Sequence, residues 1–437
     1  MGRRSKSKRR SERGQTILLV AISIVSLLAM AALAIDVVTF YVARSEIQRA
    51  ADAAALAGAK AIADSGVTTL QPSDPNLGVV EGWAATAANA QIAALLPVNT
   101  VAGRALSSPP VVTVDYTTHG NGNPLITVTL QQINLPTFFA RIWGHSGTTV
   151  QASATAEAYN PSNNSSFTTI APTSVKPWLV ANADPNTPFP PGKVIIDSSN
   201  NVESGIVGST FNITVDCAAS TCSSPSPDST PGWRAQGQVD YLPALVSADV
   251  GSNVGSGCMA ATSNFEQAIE CADVTTVYNC GPNGASWDNS TYPGGATGLT
   301  ATGTEILINA TGTGPTGQDT LTYATPYPAS PPQITVGTYL SPFSGLPVTT
   351  SRSIVTIPIL DTTNFSPTSA SVGIVGFLQA FINQVDGLAQ TGPPASQPGD
   401  VNITVLNVAA CYGGGSPPAV VGGSGTSPVP VRLITSP

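Results

Sequence analysis

The fold is decided by the stretch QTILLVAISIVSLLAMAALAIDVVTFYVARSEIQRAADAAALAGAK, which runs from Gln15 to Lys60. It carries no charged residue between Thr16 and Ile35, and an apolar run of about 20 residues crosses a bilayer as a helix. No Gly or Pro interrupts it before Gly58, so the pattern predicts one helix that continues past the membrane surface. At ~1.5 Å per residue it would reach roughly 65 Å, about twice the hydrocarbon thickness. We therefore expect half of it to stand outside the bilayer.

Basic residues are concentrated before this span. Seven of the 17 basic residues precede it, and Glu12 is the one acidic residue among them. Basic residues beside a first span are retained on the cytoplasmic side. The sequence therefore predicts a single-pass protein of the cytoplasmic membrane, with the N-terminus inside and the C-terminal part extracytoplasmic. A basic run can also be a nucleic-acid tail, but the adjacent span favours retention, and no nucleic-acid partner is predicted.

The rest of the composition is typical of an exported, strand-rich chain. Charged residues make up only 10% of it, and 41 Gly and 37 Pro punctuate it. All six cysteines lie on the predicted outside, where disulfides form: Cys217, Cys222, Cys258, Cys271, Cys280 and Cys411. Six thiols allow about 15 pairings, and only the close spacing of the first two suggests a particular loop. No CxxC occurs and only two histidines are present, so disulfides are favoured over structural zinc.

Small residues recur along the second half of the predicted helix. Residues four apart would let another helix approach closely, and the candidate contact set for a partner helix is Ala50, Ala51, Ala54, Ala55 and Gly58. The same pattern also fits a high-propensity helix that packs on its own domain. Both interpretations can hold on different faces.

The ordered string that begins at Gly14 resembles the N-terminal module of TadE/TadG-like proteins of the Tad (Flp) pilus-assembly system. In that family a glycine precedes the span, an Ala-Ile-Asp-Val step leaves it, Tyr and Arg follow, and a Gln-x-Ala-Ala-Asp run leads into the end of the helix. The matching positions here are Gly14, Asp36, Tyr41, Arg44, Gln48 and Asp52. The resemblance implies that the partners are the lipid bilayer and other Tad pilus-assembly or pseudopilin membrane proteins.

One position departs from the pilin-like pattern. Prepilin-like members carry Glu at the fifth position after the cleaved glycine, and this chain has Leu19 there. The resemblance therefore favours the TadG-like side of the family, which is anchored and carries a larger ectodomain. Three fates of the span stay open: retention, cleavage at Gly14, or secretory cleavage at Ala34. The uninterrupted helical pattern past Ala34 argues against the last.

The sequence divides into five segments. They are a basic cytoplasmic tail at 1–14, the transmembrane helix with its extension at 15–60, a membrane-proximal α+β module at 61–160, a Pro/Ser/Asn-rich linker at 161–192, and a mainly β ectodomain at 193–437. In the module, a helix is predicted from Val79 to Leu96, ended by Pro97. Strands are predicted over Val111 to Thr117, Leu125 to Gln131 and Thr149 to Ala158.

In the ectodomain the strand signals are short and irregular. They cover Lys193 to Asp197, Phe211 to Asp216, Thr304 to Asn309, Gln333 to Tyr339, Ser353 to Leu360 and Val401 to Val408. One apolar run, Val372 to Val385, has the length of a helix and is expected to be buried. Its polar residues Gln379, Asn383 and Gln384 argue against a second membrane span.

No motif predicts catalysis. The sequence contains no GxSxG, P-loop or HExxH, so no catalytic, cofactor-binding or metal-ligating residue is predicted and the protein is expected not to be an enzyme. Asp197-Ser198-Ser199 resembles the metal-coordinating Asp-x-Ser-x-Ser of von Willebrand type A domains. The fifth position is Asn201 and no amphipathic helix follows, so a strand-to-turn transition is the preferred interpretation.

The predicted fold class is therefore a membrane-anchored α+β protein, with a long N-terminal helix, a small α+β module and a mainly β ectodomain. The predicted function is that of a non-enzymatic TadG-like component of Flp pilus assembly or surface adhesion. The alternative is an exported carbohydrate-binding or adhesive surface protein without a pilus role, with a surface or carbohydrate ligand. An extracytoplasmic hydrolase is the third hypothesis, and it would need a pair of carboxylates in a cleft.

Overall fold

A computed structural model gives the fold of the 437-residue chain. It describes residues 8–106, 109–116, 123–135, 137, 139, 144, 147–160, 170–172, 174–187, 192–216, 231–248, 250, 263–287, 295–310, 317–323, 331–348, 350–385, 399–411, 421–423 and 429–434. His119 and His145 lie outside these ranges.

Helices dominate only the N-terminal part of the described chain. They are α1 (Lys8–Asp64), α2 (Leu77–Leu95), α3 (Asn264–Glu270) and α4 (Ala296–Ile308). The first is one continuous element through the apolar span and its extension, as the absence of helix breakers predicts. It begins inside the predicted basic tail rather than at Gln15. The second ends one residue before Leu96, where a 3₁₀ turn contains Pro97.

Short strands make up most of the remainder. In chain order they are β1 (Thr100–Val101), β2 (Arg104–Ala105), β3 (Val111–Asp115), β4 (Leu125–Leu135), β5 (Thr148–Ala158), β6 (Ile170–Pro172), β7 (Trp178–Ala181), β8 (Thr210–Val215), β9 (Trp233–Ala235), β10 (Gln238–Pro243), β11 (Gly281–Ser286), β12 (Thr320–Thr322), β13 (Gln333–Thr335), β14 (Pro347–Val348), β15 (Ile354–Leu360), β16 (Ser371–Val385), β17 (Val401–Ala410), β18 (Val421–Gly423) and β19 (Val431–Ile434). The three strands predicted in the module are β3, β4 and β5.

The N-terminal module is a four-stranded antiparallel sheet with two helices. Its strand order is β19-β5-β4-β3. On β4, buried Ile126, Val128 and Leu130 alternate with more exposed residues, the pattern of a sheet with one covered face. The second half of α1 covers that face and packs against α2. This confirms a long helix that extends into a small α+β unit.

The chain returns to this module at its C-terminal end. Strand β19 pairs with β5, with Arg432 opposite Glu157. The Arg432 Nε lies 2.7 Å from Glu157 Oε2, and the Glu157 side chain is fully buried. A buried carboxylate needs such a partner. The module predicted at 61–160 is therefore completed by residues from the other end of the sequence.

The largely β body is built on a barrel, which is a closed ring of six strands. The order β16-β15-β7-β10-β8-β17 closes because β17 also pairs with β16. The pairs β15–β7 and β10–β8 are parallel and the other four are antiparallel. Every residue of β7, β10 and β15 is buried, so both faces of these strands are covered. Strands β9 and β11 extend the ring at its margins.

Four predictions from the sequence are wrong in this body. Residues 161–192 were predicted as a linker, yet Trp178–Ala181 is a central barrel strand. The run from Val372 to Val385 is strand β16 rather than a helix. Its predicted burial is confirmed. Because both faces of the strand are buried, its sequence lacks the alternation of apolar and polar residues that identifies a strand. Thr304 to Asn309 falls at the end of α4. Lys193 to Asp197 contains only an isolated bridge from Ile196 to Val202.

A buried polar junction joins the module to the barrel. Asn407 of β17 donates its Nδ2 to Ala63 O at 2.5 Å and accepts a hydrogen bond from Thr69 Oγ1. Asn160 Nδ2 donates to Val408 O at 2.8 Å. Gly66 turns the chain after α1 with φ 81°, and a Cβ there would lie 2.7 Å from Leu406 O. Because buried polar groups must be paired, these bonds fix the barrel to the end of α1.

Candidate functional site

The N-terminal half of α1 exposes an unbroken apolar surface. Among the helices of the described residues, only Gln15–Asp64 contains a segment long and apolar enough to cross a membrane. Its large apolar side chains from Ile17 to Ile35 expose between 51% and 72% of their area. Contiguous apolar surface of this extent is covered by lipid or by another protein. This half of α1 is a candidate membrane span.

The span meets the body at Asp36. It is the first charged residue after the apolar run, yet it is only 2% exposed. Its Oδ2 accepts a hydrogen bond of 3.0 Å from the backbone N–H of Phe139, in the segment after β4. A buried carboxylate is tolerated when it is hydrogen-bonded. Asp36 therefore attaches the body to α1 at the end of the candidate span.

Two further motif residues secure the extension of α1. Gln48 Nε2 donates to Asp52 Oδ1 at 2.8 Å and to Ser153 O at 3.3 Å, which links one turn of helix to β5. Glu46 makes a similar contact that sequence reasoning missed, because its Oε2 accepts a 2.7 Å bond from Ala102 N. Ala102 adopts a φ of 51°. No local signal pairs Glu46 with a residue so distant in sequence.

Tyr41 and Arg44 face outward instead. Tyr41 is 77% exposed, and Arg44 is also exposed. Both lie just beyond the apolar run, where aromatic and basic side chains meet lipid head groups. Gly14, the remaining motif position, lies within α1. The motif thus separates into residues that bond to the body, namely Asp36 and Gln48, a residue that accepts a bond from Gln48, namely Asp52, and residues that stay exposed.

The predicted partner-helix residues lie in the interior. Ala50, Ala51, Ala54 and Ala55 are at most 3% exposed, and a Cβ on Gly58 would lie 2.6 Å from Ile126 Cδ1 and 3.0 Å from Ile92 Cδ1. Their contacts are with the chain's own α2, β4 and β5. The alternative interpretation, a helix packed on its own domain, therefore accounts for this stripe. A partner helix would have to displace the module to reach it.

Together these features define an α+β protein with a candidate membrane span, whose helix continues unbroken into a largely β body. Residues 14–61 match the protein-family model described as "Tad: Putative Flp pilus-assembly TadE/G-like". The N-terminal helix is thus a TadE/G-like module, which confirms the resemblance drawn from its motif. The match ends before α2 and assigns nothing to the barrel. Comparisons with curated proteins and with solved structures found no match.

One disulfide is fully described. Cys280 and Cys411 are bonded, with their Cα atoms 5.4 Å apart and a separation of 131 positions in sequence. They lie just before β11 and just after β17, two strands that both pair with β16. Cys271 is also disulfide-bonded. Cys217, Cys222 and Cys258 lie outside the described residues, so the loop expected for the first two is untested.

Asp197 organises a turn. Its Oδ1 accepts hydrogen bonds of 2.8 Å from the backbone N–H groups of Ser199 and Asn201, and Asn201 Nδ2 donates to Oδ2 at 3.1 Å. Burial alone would raise the pKa of Asp197, but these hydrogen bonds lower it. The carboxylate is occupied as in an Asx turn. Among the described residues, no cluster of His, Cys, Asp and Glu suited to a metal ion is found.

One buried lysine has the burial and the pKa of a candidate functional residue, and the sequence did not predict it. Lys176 is 4% exposed, and its Nζ donates to Ile269 O and Cys271 O, each at 2.6 Å. These carbonyls close the C-terminal end of α3. Burial, helped by the charge of Arg352 and opposed by Asp273 and Glu270, lowers the pKa of Lys176 to about 7. The signal available in the sequence was a lysine separated by only Pro177 from the apolar run Trp178–Ala181.

The hydrolase hypothesis requires two carboxylates in a cleft, and one such cleft is present. It has a volume of about 200 Å³ and contains Asp74 and Glu203. Asp74 accepts hydrogen bonds from Asn76 N at 2.8 Å and Ser204 Oγ at 3.1 Å. Glu203 forms an ion pair with Lys193. Each carboxylate therefore has a partner that fixes local structure.

Proposed function

We propose that this protein is a non-enzymatic, TadG-like component of an Flp pilus-assembly or surface-adhesion system. It is held in the cytoplasmic membrane by α1, with its N-terminus inside and its barrel outside. The observation that carries the proposal is the family match over 14–61, because those residues form both the exposed apolar span and the stem on which the body is built.

The orientation is supported by charge and by cysteine chemistry. The basic cluster precedes the span, as expected for a segment retained in the cytoplasm. The Cys280–Cys411 disulfide lies on the other side of the span, and disulfides persist in oxidising compartments. Both observations favour an extracytoplasmic barrel.

The partner-binding surface is the outward face of α1 beyond the span. Val38, Tyr41 and Val42 are 61%, 77% and 47% exposed, and Ser45 continues the same face. This outward strip is continuous with the candidate span, so a neighbouring single-span protein could pack along both. It replaces the buried stripe of Ala50, Ala51, Ala54, Ala55 and Gly58 as the contact surface for other pilus-assembly membrane proteins.

Site-specific photo-crosslinking tests this surface. A benzophenone amino acid is placed at Tyr41 or Ser45 in the full chain, expressed in its own cells, and adducts are identified by mass spectrometry. We expect adducts with other membrane proteins of the Tad system. The matched control places the same group at Val79, which is 50% exposed on α2 and away from the outward strip.

Two results would count against the proposal. Equal adduct patterns from Val79 and Tyr41 would mean that the strip has no selectivity. A membrane-inserted chain that forms adducts only with lipid would favour the alternative, an adhesive or carbohydrate-binding surface protein that uses α1 merely as an anchor.

We also propose that the carboxylates Asp74 and Glu203 are structural. Each is held by a hydrogen bond or an ion pair within the chain, and a general acid or base must be able to reach its substrate. The double variant Asp74→Asn with Glu203→Gln is expected to keep the pilus phenotype. Loss of that phenotype in a folded double variant would revive the hydrolase hypothesis.

A further inference from the structure

A cavity of about 320 Å³ lies where the module meets the barrel. One wall comes from the end of α1 and from α2, with Ala57, Ala61, Trp83 and Ala87 facing it. The opposite wall comes from the barrel and from the small sheet β12-β13-β14. Its volume is at the lower end of the range for small-molecule sites.

The walls are apolar and the rim is neutral. Apart from the small helical residues, the lining is mainly aliphatic and includes Ile354 and Leu406. The charged side chains at the rim are Lys60 and Asp64, which pair with each other at 2.7 Å. An ionic ligand would be desolvated here without a free counter-charge. The cavity therefore favours an uncharged molecule.

Two amides line this cavity; Gln91 of α2 is half-buried, whereas the other is almost fully buried. Gln379 of β16 lines the cavity and is 2% exposed. Among the residues that the structure describes, its Oε1 accepts no hydrogen bond. A buried acceptor without a donor is costly, by about 1–3 kcal/mol, and native proteins seldom keep one without a reason.

We propose that this cavity binds a small uncharged molecule that has an apolar body and one N–H or O–H donor, and that Gln379 Oε1 accepts the hydrogen bond from that donor. A plain hydrocarbon chain would contact the apolar walls and leave Gln379 Oε1 without a hydrogen bond. A ligand with a donor satisfies both, and Trp83 provides a flat surface for a ring. The inference is independent of the proposed function.

The test compares two small ring molecules, of which only one has a hydrogen-bond donor. Indole has an apolar ring system and one N–H, and indene has nearly the same shape without the donor. Binding to the full chain in lipid nanodiscs is measured by ligand-observed NMR, and the signal from empty nanodiscs is subtracted. We expect indole to bind about fivefold more tightly than indene.

Three variants locate the binding. Gln379→Leu removes the amide and is expected to abolish the preference for indole while keeping the binding of indene. Ala87→Trp fills the cavity and should weaken both probes at least ~tenfold. Ala93→Trp is the matched control, because Ala93 is exposed on the same helix and does not line the cavity; it should bind like the unmodified chain.

Retained near-ultraviolet circular dichroism shows that each variant is folded. Gln379→Leu leaves no new polar group unpaired, so it is expected to fold. The proposal is overturned if neither probe binds the unmodified chain at millimolar concentration, if Gln379→Leu keeps the preference for indole, or if Ala87→Trp and Ala93→Trp bind alike.

Discussion

At the scale of single residues, Gly58 shows why small side chains recur along α1. It lies where the helix packs against α2 and β4, close to Ile92 and Ile126. The spacing of small residues was visible in the sequence, but helix-on-helix contact between two proteins and helix-on-sheet contact within one chain require the same spacing. Only the fold distinguishes the two.

Enlarging Gly58 is predicted to destabilise the module. Gly58→Leu should lower the free energy of unfolding by about 1–3 kcal/mol, because the added atoms overpack the contact. The measurement is chemical denaturation of the full chain in nanodiscs. Gly82→Ala is the control: nothing lies within 4 Å of its added Cβ, so it should stabilise α2 by about 0.5–1 kcal/mol. A neutral Gly58→Leu would contradict the packing.

Lys176 is predicted to make stability depend on pH. Burial holds its pKa at about 7 in the folded protein, below the ordinary lysine value of 10.5. Between these values the unfolded chain binds the extra proton, so stability rises with pH across this window. From pH 7 to pH 9 the gain should be about 2 kcal/mol.

The pH effect is measured by denaturation at the two pH values, with the fluorescence of buried Trp178 and Trp287 as the signal. Lys176→Met cannot titrate and should lose this dependence. It should also be less stable overall, because the carbonyls at the end of α3 lose their donor. An equal slope in both proteins would exclude Lys176 as the source.

At the scale of elements, the sequence predicted best where the signal is local. Helix α1 follows from an uninterrupted helical composition, α2 from its apolar face and Pro97, and β3 to β5 from alternation. Strand β16 was mistaken for a helix because burial of both faces leaves an apolar run without a period. Helix α4 was missed because its Thr and Gly residues are poor helix formers; Gly303 is needed there for its close contact with Ile269 and Glu266 of α3.

The residues of the candidate site also divide into those with a local signal in the sequence and those without one. The motif residues and the span were evident from composition and order. The bond from Phe139 to Asp36, the burial of Lys176 and the cavity beside Gln379 depend on contacts between residues far apart in sequence. No local pattern encodes such contacts, so the sequence could not reveal them.

The attachment at the exit of the span is predicted to depend on Asp36. Asp36→Ala should leave the N–H of Phe139 without its acceptor and raise its hydrogen-exchange rate by roughly tenfold or more. Exchange followed by mass spectrometry measures this in the full chain. Val37→Ala is the control, since Val37 is 57% exposed and its truncation should leave that amide protected. Unchanged protection in Asp36→Ala would show that other contacts hold the segment.

At the scale of the whole molecule, the barrel ring is closed by β16 and β17 and braced by the Cys280–Cys411 disulfide. Replacing both cysteines by Ser should lower the free energy of unfolding by about 2–5 kcal/mol, because the unfolded chain regains the freedom of a long loop. Serine variants are preferable to a reductant, since Cys271 is also disulfide-bonded. An unchanged free energy of unfolding in the double variant would mean that strand pairing in the barrel holds these two positions together without the disulfide.

The unbroken helix α1 joins the candidate span rigidly to the body. Beyond Asp36 it extends roughly 40 Å, at ~1.5 Å per residue, and its end is bonded to the barrel through Ala63 and Asn407. A change of ~20° in the tilt of the span, within the range seen for membrane helices, would swing that end by roughly 14 Å. In a chain inserted in a membrane, small rotations of the span would therefore become large displacements of the barrel.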